Sequence, residues 1–122
     1  MQEEVFHIDF YDKKDKTRPA EDFIAALPPK MKAKVIRIVN MLRVNGSELR
    51  EPYSKHLDDG IFEIRAQVGS ENSRVLYFFM IGKKIVLTHG FVKKTPKTPP
   101  SEIIRAKKYR EEYLSRKEQK NE

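Results

Sequence analysis

Residues 74–81, RVLYFFMI, are almost continuously apolar, the pattern of a central strand covered on both faces rather than a half-exposed one. The segments around this run have a different period. Upstream, Phe62, Ile64, Ala66 and Val68 alternate with Glu63, Arg65 and Gln67, so a second strand turns its apolar side one way and its charges the other. Gly69 to Asn72 form the turn between the two. Downstream, Gly82-Lys83 is a tight hairpin signal, and Ile85 to Phe91 make the last strand. Three consecutive antiparallel strands are therefore expected.

The N-terminal half has two further periods. Val5, His7, Asp9 and Tyr11 alternate with Phe6, Ile8 and Phe10, which predicts a first strand over residues 4–11. Pro19 suits the first position of a short helix carrying Phe23, Ile24 and Leu27. Pro28-Pro29 stops that helix and starts the next, where Met31, Val35, Ile38 and Leu42 follow helical spacing. Gly46 is the expected C-terminal cap. These segments read as a helical hairpin. Ser47 to Gly60 is irregular, with turn signals at Pro52 and Asp58-Asp59-Gly60. Lys93 to Pro100, KKTPKTPP, is an extended basic crossing, and a C-terminal helix with Ile103, Ile104, Tyr109 and Tyr113 is expected to fray near Ser115. The order predicts an α+β layer with helices at one face of the sheet. The other face, with Glu63 and Arg65, is expected to be open to a ligand.

A chain of 122 residues without cysteine has room for one core and no disulfide or thiolate metal site. One domain over residues 1–117 is expected, followed by a disordered charged tail at 118–122. The acidic start, Met1-Gln2-Glu3-Glu4, precedes no long apolar stretch, which argues against a signal peptide or membrane span and for a cytoplasmic protein. The net charge of +7 favours an anionic partner. Residues 93–117 hold nine Lys/Arg against three Glu, so most of the excess is C-terminal. A solvated helix that happens to be basic explains such a run as readily as a binding surface does.

No phosphate-binding loop, dinucleotide-binding glycine pattern or metal-spaced His pair occurs, so no metal and no cofactor is expected. Chemistry, if present, falls to Lys, Arg, Glu, His or Tyr. Arg65 and Arg74 sit on adjacent antiparallel strands, where two guanidiniums can grip one phosphate. Lys93 and Lys94 leave the final strand and Lys55 enters just before the first of the three, so several cations converge on one surface. The ordinary alternative makes Glu63 and Arg65 surface charges and Arg74 a turn residue. His89 shares a strand face with Leu87 and Phe91 and reads as a core histidine, whereas His56 lies in a loop. Tyr77 and Phe78 fall on opposite strand faces, where core packing and base stacking explain them about equally.

The motifs K-x-L-x-D-G-I-F-E-I-R, S-R-V-L-Y-F-F, G-F-V-K-K-T-x-K-T-P and E-I-x-x-A follow one another between Lys55 and Arg110. In this order and spacing they resemble the phage-derived HigB-like toxins of the RelE/ParE superfamily. The resemblance implies a RelE-like fold, an inward-curved antiparallel sheet packed against an N-terminal helical hairpin and a C-terminal helix. It also implies the toxin of a type II toxin-antitoxin pair, an mRNA interferase that cuts translated mRNA on the ribosome and arrests growth. The implied partners are mRNA, the ribosome and a helix-turn-helix, HigA-like antitoxin, with operator DNA bound only through the antitoxin complex.

Matched to RelE-like enzymes, Arg65 and Arg74 take the phosphate, and Lys93 binds it or protonates the leaving group. Glu63 becomes the candidate general base, with a lysine of lowered pKa as competitor. Lys55, His56, Lys94 and Lys97 position RNA. The chain departs from the family in having no C-terminal His and Asp cluster, and its late tyrosines, Tyr109 and Tyr113, lie within the last helix. A ParE-like gyrase poison and a non-catalytic RNA-binding module are the alternatives; the first would not need cations converging on the sheet, and the second would show salt-sensitive RNA affinity with no cleavage product.

Overall fold

A computed structural model describes the backbone of residues 5–120 and the side chains of residues 5–116. Among these described residues, three α-helices and five strands form an α+β fold with one open sheet. Strand β1 (His7–Phe10) leads to α1 (Pro19–Ala25) and α2 (Pro29–Asn45). Strands β2 (Ser54–Asp58), β3 (Ile61–Val68), β4 (Glu71–Met80) and β5 (Lys84–Val92) follow, and α3 (Pro100–Lys120) closes the chain. The spatial order is β1-β5-β4-β3-β2.

Both proline signals act as expected, since Pro19 and Pro29 open their helices. Met31, Val35, Ile38 and Leu42 form the buried stripe of α2. Gly46 ends that helix with a φ of 55°, and a Cβ there would lie 2.2 Å from the Phe6 ring, so only glycine fits. The hairpin buries its apolar side against Ile64, Ala66, Val75, Tyr77, Ile85 and Leu87 of the sheet. The alternation of β3 and β4 makes this possible, because every second residue reaches the hairpin side.

Four expectations change. The sheet is mixed rather than antiparallel throughout, because β1 runs parallel to β5, with Ile8 opposite Ile85. Ser54–Asp58 is a strand, paired antiparallel with β3 through Ser54 and Ile64. Helix α3 continues to Lys120 rather than fraying near Ser115. Last, α3 covers the second face of the sheet, burying Ile61, Leu76, Phe78 and Val86 beneath Ala106 and Tyr113. That helix supplies the second cover that the run 74–81 required, so the face expected to be open is largely closed. The run itself ends in the turn, where Ile81 is fully exposed.

Helix α3 is also held by charge. Lys107 meets Asp58 at 2.6 Å, Arg110 meets Asp59 at 2.9 Å and Arg116 meets Asp12 at 3.2 Å. Tyr113 donates to Asp9 at 2.7 Å, and Tyr11 donates to Glu112. Burial, with the adjoining carboxylates, pushes both phenols above their usual range, so they stay protonated as donors. Three of the C-terminal cations thus tie the helix to β2 and to the segments that follow β1 and β2.

Candidate functional site

The β3–β4 register sets Arg65 directly opposite Arg74 and Glu63 opposite Leu76. Alternation places Glu63, Arg65 and Arg74 on the α3 side of the sheet, at the end that α3 leaves uncovered. Glu63 is only 2% exposed. One of its carboxylate oxygens, Oε2, lies 3.5 Å from Nε of Arg65 and 3.7 Å from Nε of Arg74. The other, Oε1, accepts a 2.5 Å hydrogen bond from the Thr98 hydroxyl. The face expected to present Glu63 to a ligand instead buries it under the crossing segment before α3. A lone buried carboxylate is costly, and here two guanidiniums and a hydroxyl compensate it.

Arg74 is itself buried, and its Nη1 donates to the Ser73 carbonyl at 3.0 Å. Its Nε has no hydrogen-bond partner among the described residues. Burial pulls its guanidinium below the usual value and Arg65 adds to this, with Glu63 opposing; the group nonetheless stays cationic. Arg65 is half-buried and also pairs with the exposed Glu51 at 2.9 Å.

Lys93 completes the cluster. Its N–H donates to the Asn72 carbonyl at 2.8 Å, which extends the β4–β5 pairing by one bond. Burial lowers the pKa of its ammonium, and the positive charges of Arg74 and Arg65 lower it further, with Glu63 opposing. Arg65, Arg74, Lys93 and Lys94 line an open groove of about 700 Å³, together with Asn72 and Thr95. The arrangement suits an oxyanion-rich ligand, because four cations line one open concavity.

The other expected residues divide. Lys55 stands opposite Glu63 on the edge strand β2, exposed on the cation side. His56 pairs with Phe62 and so points to the hairpin side, where its Nε2 accepts from the Gly60 N–H at 3.2 Å. The structure therefore separates His56 from the groove. Lys97 is exposed on the crossing and does not line the groove. Tyr77 and Phe78 are buried on opposite faces, with the Tyr77 hydroxyl 2.5 Å from Ser54 Oγ. Burial pushes that phenol up to about 12, with Ser54 opposing. Core packing explains both rings.

His89 is buried as expected, but it does not share a face with Leu87. The pairing shifts by one residue between Leu76 opposite His89 and Tyr77 opposite Leu87, so Thr88 is the extra residue of a bulge and reverses the alternation. His89 then faces α3, its Nε2 2.9 Å from Glu102.

Thr98, Glu51 and Asn72 escaped the sequence reading. The T-P pairs at 95–96 and 98–99 mark the crossing, yet nothing local says which carboxylate Thr98 meets. Among the described residues, no three His, Asp or Glu side chains gather as a metal site would need. No helix among them is long and apolar enough to cross a membrane.

None of the curated proteins compared with the chain matches it. The family model described as phage-derived protein Gp49-like (DUF891) matches residues 22–111. The matched span runs from α1 into α3 and contains the whole cation groove, and the chain belongs to this phage-derived Gp49-like family.

Proposed function

We propose that the protein is the toxin of a type II toxin-antitoxin pair, a metal-independent endoribonuclease that cuts mRNA on the translating ribosome. The observation that carries this reading is the convergence of Arg65, Arg74 and Lys93 on one open groove, with the two arginines paired to the buried Glu63 carboxylate. The likeness of its motifs to HigB-like toxins points the same way.

The chemistry is an in-line transesterification. The ribose 2′-oxygen bonds to the adjacent phosphorus and gives up its proton to solvent. The P–O5′ bond breaks, leaving a 2′,3′-cyclic phosphate, and the departing 5′-oxygen takes a proton from Lys93. Arg65 and Arg74 hold the extra charge of the phosphorane. Lys93 suits the acid because burial and two neighbouring guanidiniums lower its pKa. Glu63, the base expected from sequence, has both oxygens engaged and acts as the anchor that orients the two arginines. An exposed cationic groove also suits a covering partner, and a helix-turn-helix antitoxin of the HigA type fills that role.

The test is to induce the chain alone in bacteria and map mRNA 5′ ends within minutes, beside an Arg65→Ala/Arg74→Ala double variant. New cuts within translated regions, absent in the variant, support the reading. Growth arrest with intact mRNA overturns it in favour of a protein target such as gyrase.

A further inference from the structure

Arg65 and Arg74 line a second cleft as well, of about 300 Å³, adjoining the first. It exists because β2 starts late. The Arg65 N–H donates to the Tyr53 carbonyl at 2.9 Å, and the chain before Tyr53 diverges from the sheet. Beyond that bond the edge of β3 has no neighbouring strand among the described residues, and Lys34 of α2 reaches the Gln67 carbonyl at 2.6 Å. Tyr53 stands at the mouth of this cleft, 38% exposed, the one aromatic among the large hydrophobic side chains exposed to that degree in the described residues. Among those residues its ring meets no other aromatic ring and its hydroxyl no hydrogen-bond partner. The other rings near the sheet are consumed by packing, as Tyr77 and Phe78 are.

We propose that this second cleft is a nucleoside subsite in which Tyr53 stacks on an unpaired base while Arg65 and Arg74 hold the phosphate beside it. The inference rests on the reading of the first groove as an RNA site and narrows the substrate to single-stranded RNA. A base inside a duplex has both faces covered by its neighbours and cannot offer one to Tyr53, whereas any unpaired base can. Lys34 carries a further cation at the cleft's rim for the next phosphate. The Glu51 carboxylate on Arg65 is exposed, so an incoming phosphate displaces it into water at little cost.

The experiment uses the full chain and three probes: a 2′-O-methyl single-stranded hexanucleotide, its abasic counterpart of equal charge, and the matching duplex, which carries twice that charge. The methyl groups prevent cleavage by this route, so the readout is affinity alone. The unchanged chain should prefer the base-bearing single strand to both other probes. Tyr53→Ala should weaken that strand about tenfold and leave the abasic chain unchanged, while Tyr53→Phe, which keeps the stacking face, should bind as the unchanged chain does. Equal affinity for base-bearing and abasic strands, sensitive to Arg65→Ala/Arg74→Ala, overturns the subsite and leaves the phosphate groove standing. If no probe binds in an arginine-dependent way, the RNA reading itself fails and the subsite with it.

Discussion

Arg65 and Arg74 are direct cross-strand partners, two like charges facing each other across the β3–β4 pair. Such a pair is ordinarily destabilising. Here the buried Glu63 stands within 3.7 Å of both through Oε2, and Thr98 donates to its other oxygen, Oε1. The carboxylate makes the juxtaposition tolerable, and the two guanidiniums leave the carboxylate less exposed to the cost of burial. The cluster still carries net positive charge and borders an open groove, which is what an anion-binding site needs.

Glu63→Gln removes the charge that separates the two arginines while nearly keeping the shape. Breaking a buried charge cluster on one side costs roughly 3–5 kcal/mol, so a clear drop in the urea midpoint is expected. Adding Arg74→Met should recover part of it, because the uncompensated buried cation is then gone. An unchanged midpoint in Glu63→Gln would show that the carboxylate holds nothing together.

Arg65→Ala and Arg74→Ala should each weaken binding to single-stranded polyanions and relieve growth arrest. Each lost phosphate contact should take about 0.7 from the slope of log affinity against log salt. Binding measured across a salt series checks this, and slopes equal to that of the unchanged chain would remove both residues from the phosphate site.

Glu51 competes with any phosphate for Arg65 from an exposed position. Glu51→Gln should therefore tighten polyanion binding by about two- to fivefold, as expected from an exposed ion pair of modest strength. Weaker binding in this variant would instead make Glu51 an organiser of Arg65.

Lys93 loses its proton at a lower pH than an ordinary lysine, because burial and then Arg74 and Arg65 disfavour its charged form. A lysine is cationic below its pKa, so its contributions to anion binding and to leaving-group protonation should fade as pH rises through that lowered value. Arg74→Ala should move the loss to higher pH. Lysine-selective NMR titration of the ammonium, alongside the pH dependence of cleavage, checks the direction.

Burial lowers the pKa of His89 below the imidazole value of 6.5, with Glu102 opposing and Arg105 assisting. The unfolded chain then binds the proton more readily than the folded one. The contribution is full above 6.5 and is lost as pH falls through the folded value. Thermal midpoints should decline over that window in the unchanged chain and decline less in His89→Gln. Parallel pH profiles for the two would show that His89 does not titrate on unfolding.

Much of this architecture was legible in the residues. The alternation of Phe62 to Val68, the apolar run to Ile81, the Gly82-Lys83 turn and the paired prolines placed three strands and a helical hairpin where the structure has them. Of the cations expected to converge, Arg65, Arg74, Lys93 and Lys94 line one groove, whereas Lys55 does not line it. Each of these expectations follows from short-range geometry, since the period of a strand or helix decides which of its own residues share a side.

The remainder depended on contacts between residues distant in the chain. Strand β2, SKHLD, has little apolar content, and its pairing with β3 is interrupted by a register shift between His56 and Asp58. The extra residue at Thr88 turned His89 toward α3, and a one-residue shift of that kind reverses a face without a local signature. The burial of Glu63 required Thr98, thirty-five residues away, to close over it. The sequence by itself determined which side chains share a face wherever an element keeps its period, as β5 does not at Thr88. Only the tertiary structure decided what covers that face, because burial depends on the packing of distant segments and therefore on the whole chain at once.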